Sequence, residues 1–128
     1  MTSPATASSP GGTRVLVVED ELMIRMLLED MLGELGYIVA AEAARIEEAL
    51  DAAKSVEFDL AILDVNLNGH NVSPVADALA ARGTPFVFAT GYGERGLPEA
   101  YRDRPALKKP FQIDGLEKTL LSALGAHL

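Results

Sequence analysis

The 128-residue sequence contains no cysteine. It therefore offers no disulfide, no thiolate metal site and no cysteine nucleophile, and nothing in it indicates an oxidising compartment. It also has no apolar run approaching the roughly 20 residues that a membrane-spanning helix needs. From these absences we expect no membrane partner and a cytoplasmic location.

Positive charge is scarce as well. The sequence has 11 Lys and Arg against 19 Asp and Glu, which gives a formal net charge of −8. This balance argues against nucleic acid or an anionic membrane surface as a partner. Hydrophobic residues still make up 48% of the chain, enough for a buried core in one domain of this length.

The first 12 residues are mostly small and polar, and they lack the basic start and apolar centre of a signal peptide. They carry too few apolar groups to offset the entropy cost of ordering. The sequence therefore predicts a disordered N-terminal tail over residues 1–12 and a single folded domain over residues 13–128.

Beyond the tail, short apolar runs alternate with segments of helical periodicity. The runs are typical of strands buried on both faces of a parallel sheet. The alternation predicts an α/β fold, a doubly wound five-stranded parallel sheet flanked by helices on both faces, with a fourth helix that is short or mobile. The predicted strands are 14–18, 37–41, 58–63, 85–89 and 106–108, and the predicted helices are 22–35, 45–54, 74–81, 99–102 and 112–126.

Apolar positions in the first and last helices follow helical spacing. In the last helix we expect five of them to point toward the core, namely Ile113, Leu116, Leu120, Leu121 and Leu124. In the first helix, which Gly36 is placed to end, the periodic set is Leu22, Met23, Met26, Leu27, Met31 and Leu35.

Polar side chains stand at the ends of four predicted strands. They are Glu19 and Asp20 after the first strand, Asp64 after the third, Thr90 at the fourth and Lys109 after the fifth. In open α/β sheets, functional groups gather outside the carboxyl ends of the strands. Three carboxylates held together repel one another, and Mg²⁺ relieves that repulsion. A lysine and a hydroxyl opposite them complete a cavity for an anion such as phosphate.

Simpler interpretations exist for these positions taken one at a time. Glu19 and Asp20 suit the N-terminus of the first helix. Thr90 is a β-branched strand residue, and Lys109 stands beside Lys108 as a second solvated charge. The joint placement of these residues favours a site.

Four short segments stand at these strand ends in order: Val17-Val18-Glu19-Asp20-Glu21, Leu63-Asp64-Val65, Ala89-Thr90-Gly91 and Lys109-Pro110-Phe111. Together they resemble a response-regulator receiver domain, over about residues 14–124. The resemblance implies a flavodoxin-like receiver fold in which Asp64 accepts a phosphoryl group within a two-component phosphorelay. The implied donor is a sensor histidine kinase or a histidine phosphotransfer protein, and the domain would have no separate turnover substrate.

The same resemblance implies a role for each site residue. Asp20 and Asp64 would ligate Mg²⁺ directly, Glu19 would support the metal through water, and the backbone carbonyl of Asn66 would supply a further ligand. Thr90 and Lys109 would bind the phosphoryl oxygens.

A narrower resemblance covers Phe88-Ala89-Thr90-Gly91-Tyr92-Gly93. This segment is similar to the signature of the FAT-G-x-Y group of bacterial single-domain receivers, whose members are linked to the general stress response. Ala106 stands where a typical receiver has an aromatic switch residue, and the narrower group implies Tyr92 in that role. Asn68 stands where many receivers have proline, which we expect to alter the loop rather than the reaction.

Three other functions fit parts of the pattern. A haloacid-dehalogenase-like phosphatase would need an acid two positions after the nucleophile, where Asn66 cannot serve. A nucleotide-binding protein would need a glycine-rich loop where residues 19–21 are acidic. A receiver-fold interaction module that is not phosphorylated ranks lower, because every side chain that phosphorylation requires is present.

Overall fold

The computed structural model describes residues 12–91 and 97–127. In chain order, the first half contains β1 (Arg14–Val18), α1 (Leu22–Glu34), β2 (Ile38–Ala43), α2 (Ile46–Ser55), β3 (Leu60–Asp64), β4 (Asn66–Leu67) and β5 (His70–Asn71). The second half contains α3 (Ser73–Ala81), β6 (Phe86–Thr90), a 3-10 turn (Glu99–Tyr101), β7 (Ala106–Lys108) and α4 (Ile113–His127).

Five strands form one parallel sheet in the order β2-β1-β3-β6-β7. The order reverses at β1, so the crossovers cover both faces of the sheet, as in other doubly wound folds. The predicted five-stranded α/β architecture is confirmed. The register pairs Val18 with Leu63 and Asp64 with Ala89, which aligns the carboxyl ends of the central strands.

The two faces of the sheet support two hydrophobic cores. Alternation along β6 shows the division, because Phe86 and Phe88 point to one side and Val87 and Ala89 to the other. The α2/α3 core includes Leu16, Val18, Phe58, Leu63, Val75, Leu79, Phe86 and Phe88. The α1/α4 core includes Val15, Val17, Leu28, Leu32, Tyr37, Ile62, Leu116 and Leu120.

The apolar faces of two helices differ from expectation. In α1 the buried residues are Leu28 and Leu32, and Ile24 is partly buried against the same core. Four other apolar residues in the first half of the helix are exposed: Leu22, Met23, Met26 and Leu27. In α4, Leu116 and Leu120 are buried as predicted, but Leu121 is 46% exposed, and Ala123 is buried instead. The expectation that Leu121 faces the core is therefore wrong. Residues 120 and 121 differ by about 100° around a helix, so only one of them can lie at the centre of the buried stripe.

A two-stranded hairpin, β4–β5, follows β3 and has no counterpart in the predicted elements. Its turn is Asn68-Gly69, with φ of 51° and 83°. Asparagine and glycine tolerate positive φ better than other residues, and Asn-Gly is the favoured pair in a tight two-residue hairpin turn. The buried side chain of Leu67 anchors the hairpin in the α2/α3 core.

The connection between β6 and β7 contains only one short helical element in its described part. This is the 3-10 turn Glu99–Tyr101, which stands where a short fourth helix was predicted. Its Tyr101 hydroxyl donates a hydrogen bond to Asp77 on α3. The Tyr101 ring packs 5.5 Å from that of Phe86 and 5.9 Å from that of Phe88, measured between centroids. No helix within the described ranges is long and apolar enough to cross a membrane.

Candidate functional site

A pocket lies at the carboxyl edge of the sheet, where β1, β3, β6 and β7 end side by side. Its volume is about 450 Å³, and Asp20, Asp64, Thr90 and Lys109 are among the residues that line it. Glu19, Asp64 and Thr90 are the three polar or charged residues in the buried set of the described chain. Since burying such groups costs free energy unless partners compensate, their collection at one edge marks a site rather than packing.

Lys109 bridges two of the carboxylates. Its Nζ lies 3.2 Å from Glu19 Oε1 and 3.3 Å from Asp64 Oδ2. Its backbone N–H also donates a 3.0 Å hydrogen bond to the Thr90 carbonyl, which fixes the position of the residue next to β6. Lys108, its neighbour, is exposed, as expected when successive side chains leave a strand on opposite faces.

Burial controls the protonation of this cluster. It raises the pKa of Glu19 to about 7, and the charge of Asp64 adds to this shift, whereas the Glu21 N–H and Lys109 oppose it. Burial also raises the pKa of Asp64, again opposed by Lys109. Burial by itself would lower the pKa of Lys109, but the two carboxylates outweigh it and the pKa is raised. The ammonium group therefore stays charged and partly neutralises two buried acids.

Asp20 completes the acidic cluster. Three carboxylate oxygens lie within 4.8 Å of one another, one each from Glu19, Asp20 and Asp64. The N-cap of α1 is Glu21, and its N–H bonds to Glu19 Oε2 at 3.1 Å, so Asp20 is not the cap. Asp20 Oδ2 instead accepts a 3.1 Å hydrogen bond from the N–H of Asn68 in the β4–β5 turn.

The donor set suits a small hard cation. Glu19 Oε1 is buried, and the Lys109 ammonium 3.2 Å away is its charged neighbour. A carboxylate oxygen has two lone pairs, so this oxygen retains capacity for another ligand. Three carboxylates at one pocket wall match the all-oxygen ligation that Mg²⁺ prefers. Asn66 stands at the same wall, where its N–H donates a 3.2 Å hydrogen bond to Asp64 Oδ1.

Arg25 holds the loop that carries the first two acids. Its Nη1 donates to the backbone carbonyl of Glu19 at 2.8 Å and lies 3.4 Å from that of Asp20. Its Nε pairs with Glu42 on β2 at 3.2 Å. The guanidinium thus ties the β1–α1 loop to the edge strand through three oxygens in its fixed fork geometry.

The structure brings together six of the seven residues predicted from the sequence, namely Glu19, Asp20, Asp64, Asn66, Thr90 and Lys109. Tyr92, the predicted switch, lies outside the described residues. Sequence reasoning missed Arg25, and it did not foresee that Asn68 would contact Asp20. The Asn-Gly pair at 68–69 was a turn signal that could have revealed the hairpin.

Comparison with known proteins assigns the family. The family model described as the response regulator receiver domain matches residues 15–121. The chain belongs to this family. Its place is therefore in two-component signalling rather than in the turnover of a substrate.

Individual relatives agree with this assignment. The transcriptional regulatory protein PdtaR of Mycobacterium tuberculosis (strain ATCC 25618 / H37Rv) is 40% identical over 121 residues, which cover 91% of this chain and 59% of PdtaR. The solution structure of SdrG from Sphingomonas melonis Fr1 is 46% identical with a TM-score of 0.80, and the match covers 88% of this chain and 97% of SdrG. SdrG in its BeF3-activated conformation is 47% identical with a TM-score of 0.76, covering 89% and 97%.

The PhyR stress response regulator is 32% identical with a TM-score of 0.80, and the match covers 96% of this chain and 49% of PhyR. This chain thus spans about half to three fifths of the length of PdtaR and PhyR, and nearly all of the SdrG structures.

Proposed function

We propose that this receiver domain accepts a phosphoryl group on the carboxylate of Asp64 from a phosphohistidine donor. The observation that carries the proposal is the setting of Asp64. It ends β3 in an open pocket of about 450 Å³, with Lys109 Nζ 3.3 Å from its Oδ2 and two further acids beside it. The pocket joins a nucleophile, a cation and a divalent-metal donor set.

The transfer step follows from these groups. A carboxylate oxygen of Asp64 attacks the phosphorus atom in line with the bond to the donor imidazole. The new O–P bond forms as the P–N bond breaks, and its electron pair stays on the imidazole nitrogen, which then takes a proton. The protein supplies mainly positioning and charge stabilisation, as is usual for phosphoryl transfer.

Glu19, Asp20, Asp64 and the carbonyl of Asn66 are the groups that would hold Mg²⁺. Bound there, the ion would neutralise charge on the phosphoryl oxygens. Lys109 would exchange one of its carboxylate contacts for a phosphoryl oxygen, and Thr90 would donate its hydroxyl hydrogen to another. In this proposal the β6–β7 connection, with Tyr92 in it, rearranges with Thr90 between two discrete states.

A sensor histidine kinase or a histidine phosphotransfer protein is the proposed donor, in the cytoplasm. The likeness to PhyR, described as a stress response regulator, supports a further proposal, a role in stress-response signalling as a member of the FAT-G-x-Y group. The activation of SdrG by BeF3, as that structure is described, supports phosphorylation as the input.

Labelling from a phosphohistidine donor tests the phosphoacceptor. In Mg²⁺ the parent protein should acquire a hydroxylamine-sensitive acyl phosphate. When EDTA replaces Mg²⁺ before the donor is added, the parent should acquire almost no label. Asp64→Asn should show no such label, because an amide cannot form an acyl phosphate. Asp51→Asn, at an exposed position on α2, is the matched control and should be labelled like the parent.

Mapping the label separates the outcomes. A parent that is labelled on another residue, or equally in Asp64→Asn, would show that Asp64 is not the acceptor. A parent that binds Mg²⁺ but is never labelled would favour an interaction module that is not phosphorylated.

A further inference from the structure

The β4–β5 hairpin touches two of the carboxylates that form the proposed metal site, and it does so through backbone amides. Asn68 N–H donates to Asp20 Oδ2 at 3.1 Å, and Asn66 N–H donates to Asp64 Oδ1 at 3.2 Å. Gly69 N–H donates to Asn66 Oδ1 at 2.8 Å. A six-residue segment that supplies two N–H donors to one site, and closes its own turn with a third, acts on the geometry of that site as a unit.

Asn68 makes the longest-range of these contacts, 48 positions along the sequence from Asp20. Its φ of 51° lies in the left-handed region, which few residues other than glycine adopt. A proline at this position could not make the contact, because it has no N–H and its φ is fixed near −65°. The Asn-Gly turn therefore places a donor where a proline would leave none.

The hairpin is itself held firmly enough to serve as a support. Leu67 is 1% exposed in the α2/α3 core, and Val72 N–H closes the base of the hairpin by donating to the Val65 carbonyl at 3.2 Å. The turn is thus fixed against the sheet on one side and against Asp20 on the other.

We infer that the β4–β5 hairpin is a positioning element for the acidic cluster, and that Asn68 holds the Asp20 carboxylate through its backbone N–H. Asn68 is a positioning residue, because it acts through Asp20. A carboxylate with one oxygen fixed by an amide keeps its other oxygen oriented for a cation, with less side-chain entropy left to lose on binding. The inference rests on the proposed Mg²⁺ site and deepens it.

Two substitutions at the same position separate the N–H from the side chain. Asn68→Pro removes the donor and the positive φ, and we expect it to weaken Mg²⁺ binding about tenfold, the lower range for outer-shell changes. Asn68→Gly removes the side chain but keeps the N–H and favours positive φ, so its Mg²⁺ affinity should stay near that of the parent. Calorimetric titration of each protein with MgCl₂ measures the affinities.

Thermal unfolding in EDTA and in Mg²⁺ distinguishes positioning from general stability. A purely structural role for Asn68 would lower the unfolding temperature of Asn68→Pro equally in both buffers. The positioning role predicts that Mg²⁺ raises the unfolding temperature less in Asn68→Pro than in the parent. In Asn68→Gly, Mg²⁺ should raise the unfolding temperature as much as it does in the parent.

Amide hydrogen exchange in Mg²⁺-free buffer gives a second test, which does not depend on Asn68→Pro folding. In Asp20→Ala the Asn68 amide loses its charged acceptor, so its exchange should accelerate about tenfold, while the Val72 amide at the hairpin base should be unchanged. Equal Asn68 exchange in both proteins, or equal Mg²⁺ affinity in the parent and Asn68→Pro, would overturn the inference. A parent that binds no Mg²⁺ would instead overturn the proposed metal site.

Discussion

At the scale of single residues, Arg25 is the side chain whose contribution is least visible in the sequence. Its guanidinium contacts the carbonyls of Glu19 and Asp20 and the carboxylate of Glu42. These contacts connect the acidic loop to β2 without touching a carboxylate of the pocket. The residue therefore supports the site by holding backbone in place.

Replacement of Arg25 should accordingly reduce stability. We expect Arg25→Ala to lower the free energy of unfolding by about 1.5–3 kcal/mol, because charged hydrogen bonds to two carbonyls and one carboxylate are lost. Arg45→Ala is the control, since Arg45 pairs with Glu48 in an exposed position on α2 and should change the same quantity by less than about 1 kcal/mol. Urea denaturation measures both, and equal losses would contradict the role given to Arg25.

The site residues themselves could be placed from sequence for a simple reason. The carboxyl ends of parallel strands meet at one edge, so Asp64, Thr90 and Lys109 were expected to converge if their strands lay side by side, and the order β3-β6-β7 places them so. The contacts of Arg25 and Asn68 could not be found in this way. They depend on side-chain direction and on loop geometry, which an apolar pattern does not encode.

At the scale of elements, how well the strand boundaries were predicted depended on the length of the strand and on its position in the sheet. The boundaries of β1 and β7 agree with prediction residue for residue, whereas β2 runs two residues beyond its predicted end at 41. Its exposed Glu42 pairs with Val17 at the sheet edge, where polar residues do not end a strand. The strands β4 and β5 have two residues each, too few for any periodicity.

Helix α1 shows a different limit. Leu28 and Leu32 are four residues apart, and so are Met23 and Leu27, so each pair makes a stripe with helical spacing. Only the packing against the sheet distinguishes the buried stripe from the exposed one. Periodicity predicted the helix correctly but could not identify its buried face.

Tyr101 is one of the residues that anchor the described part of the connection from β6 to β7, together with the buried Leu97. Tyr101→Phe should lower the free energy of unfolding by about 0.5–1.5 kcal/mol, because only its hydrogen bond to Asp77 is lost while the ring keeps its packing on Phe86 and Phe88. Tyr101→Ala removes both and should cost clearly more. Amide exchange over residues 97–104 should accelerate in both variants, and more in Tyr101→Ala. Faster exchange in Tyr101→Phe than in Tyr101→Ala would show that packing of the Tyr101 ring does not hold the connection in place.

At the scale of the whole molecule, two cores share one sheet. Because the same strands form a wall of each core, we expect them to unfold together as one cooperative unit. Leu79→Ala in the α2/α3 core and Leu120→Ala in the α1/α4 core should each cost about 2–5 kcal/mol, since both side chains are fully buried.

The cooperativity can be measured with two probes in urea. The fluorescence of Tyr37, which lies in the α1/α4 core, should report the same midpoint as far-UV circular dichroism in either variant. All proteins compared in this experiment also carry Tyr92→Phe and Tyr101→Phe, so that Tyr37 is their only tyrosine. Two separate midpoints in Leu79→Ala would show that the cores unfold independently.

At the proposed metal site, the bridge that Lys109 makes between Glu19 and Asp64 would turn metal binding into an exchange of one cation for another. The pocket already holds one tethered cation, which occupies part of the charge that an incoming divalent ion needs. The proposed site would therefore bind Mg²⁺ less tightly than three acids alone would, and the metal would exchange readily. Lys109→Ala should destabilise the metal-free protein, because two buried acids lose their counter-ion, yet it should gain more stability from Mg²⁺ than the parent does. Lys108→Ala is the control, because it leaves Lys109 in place. Its unfolding temperature should equal that of the parent both in EDTA and in Mg²⁺. A smaller gain in Lys109→Ala than in the parent would mean that the ammonium and the metal do not compete.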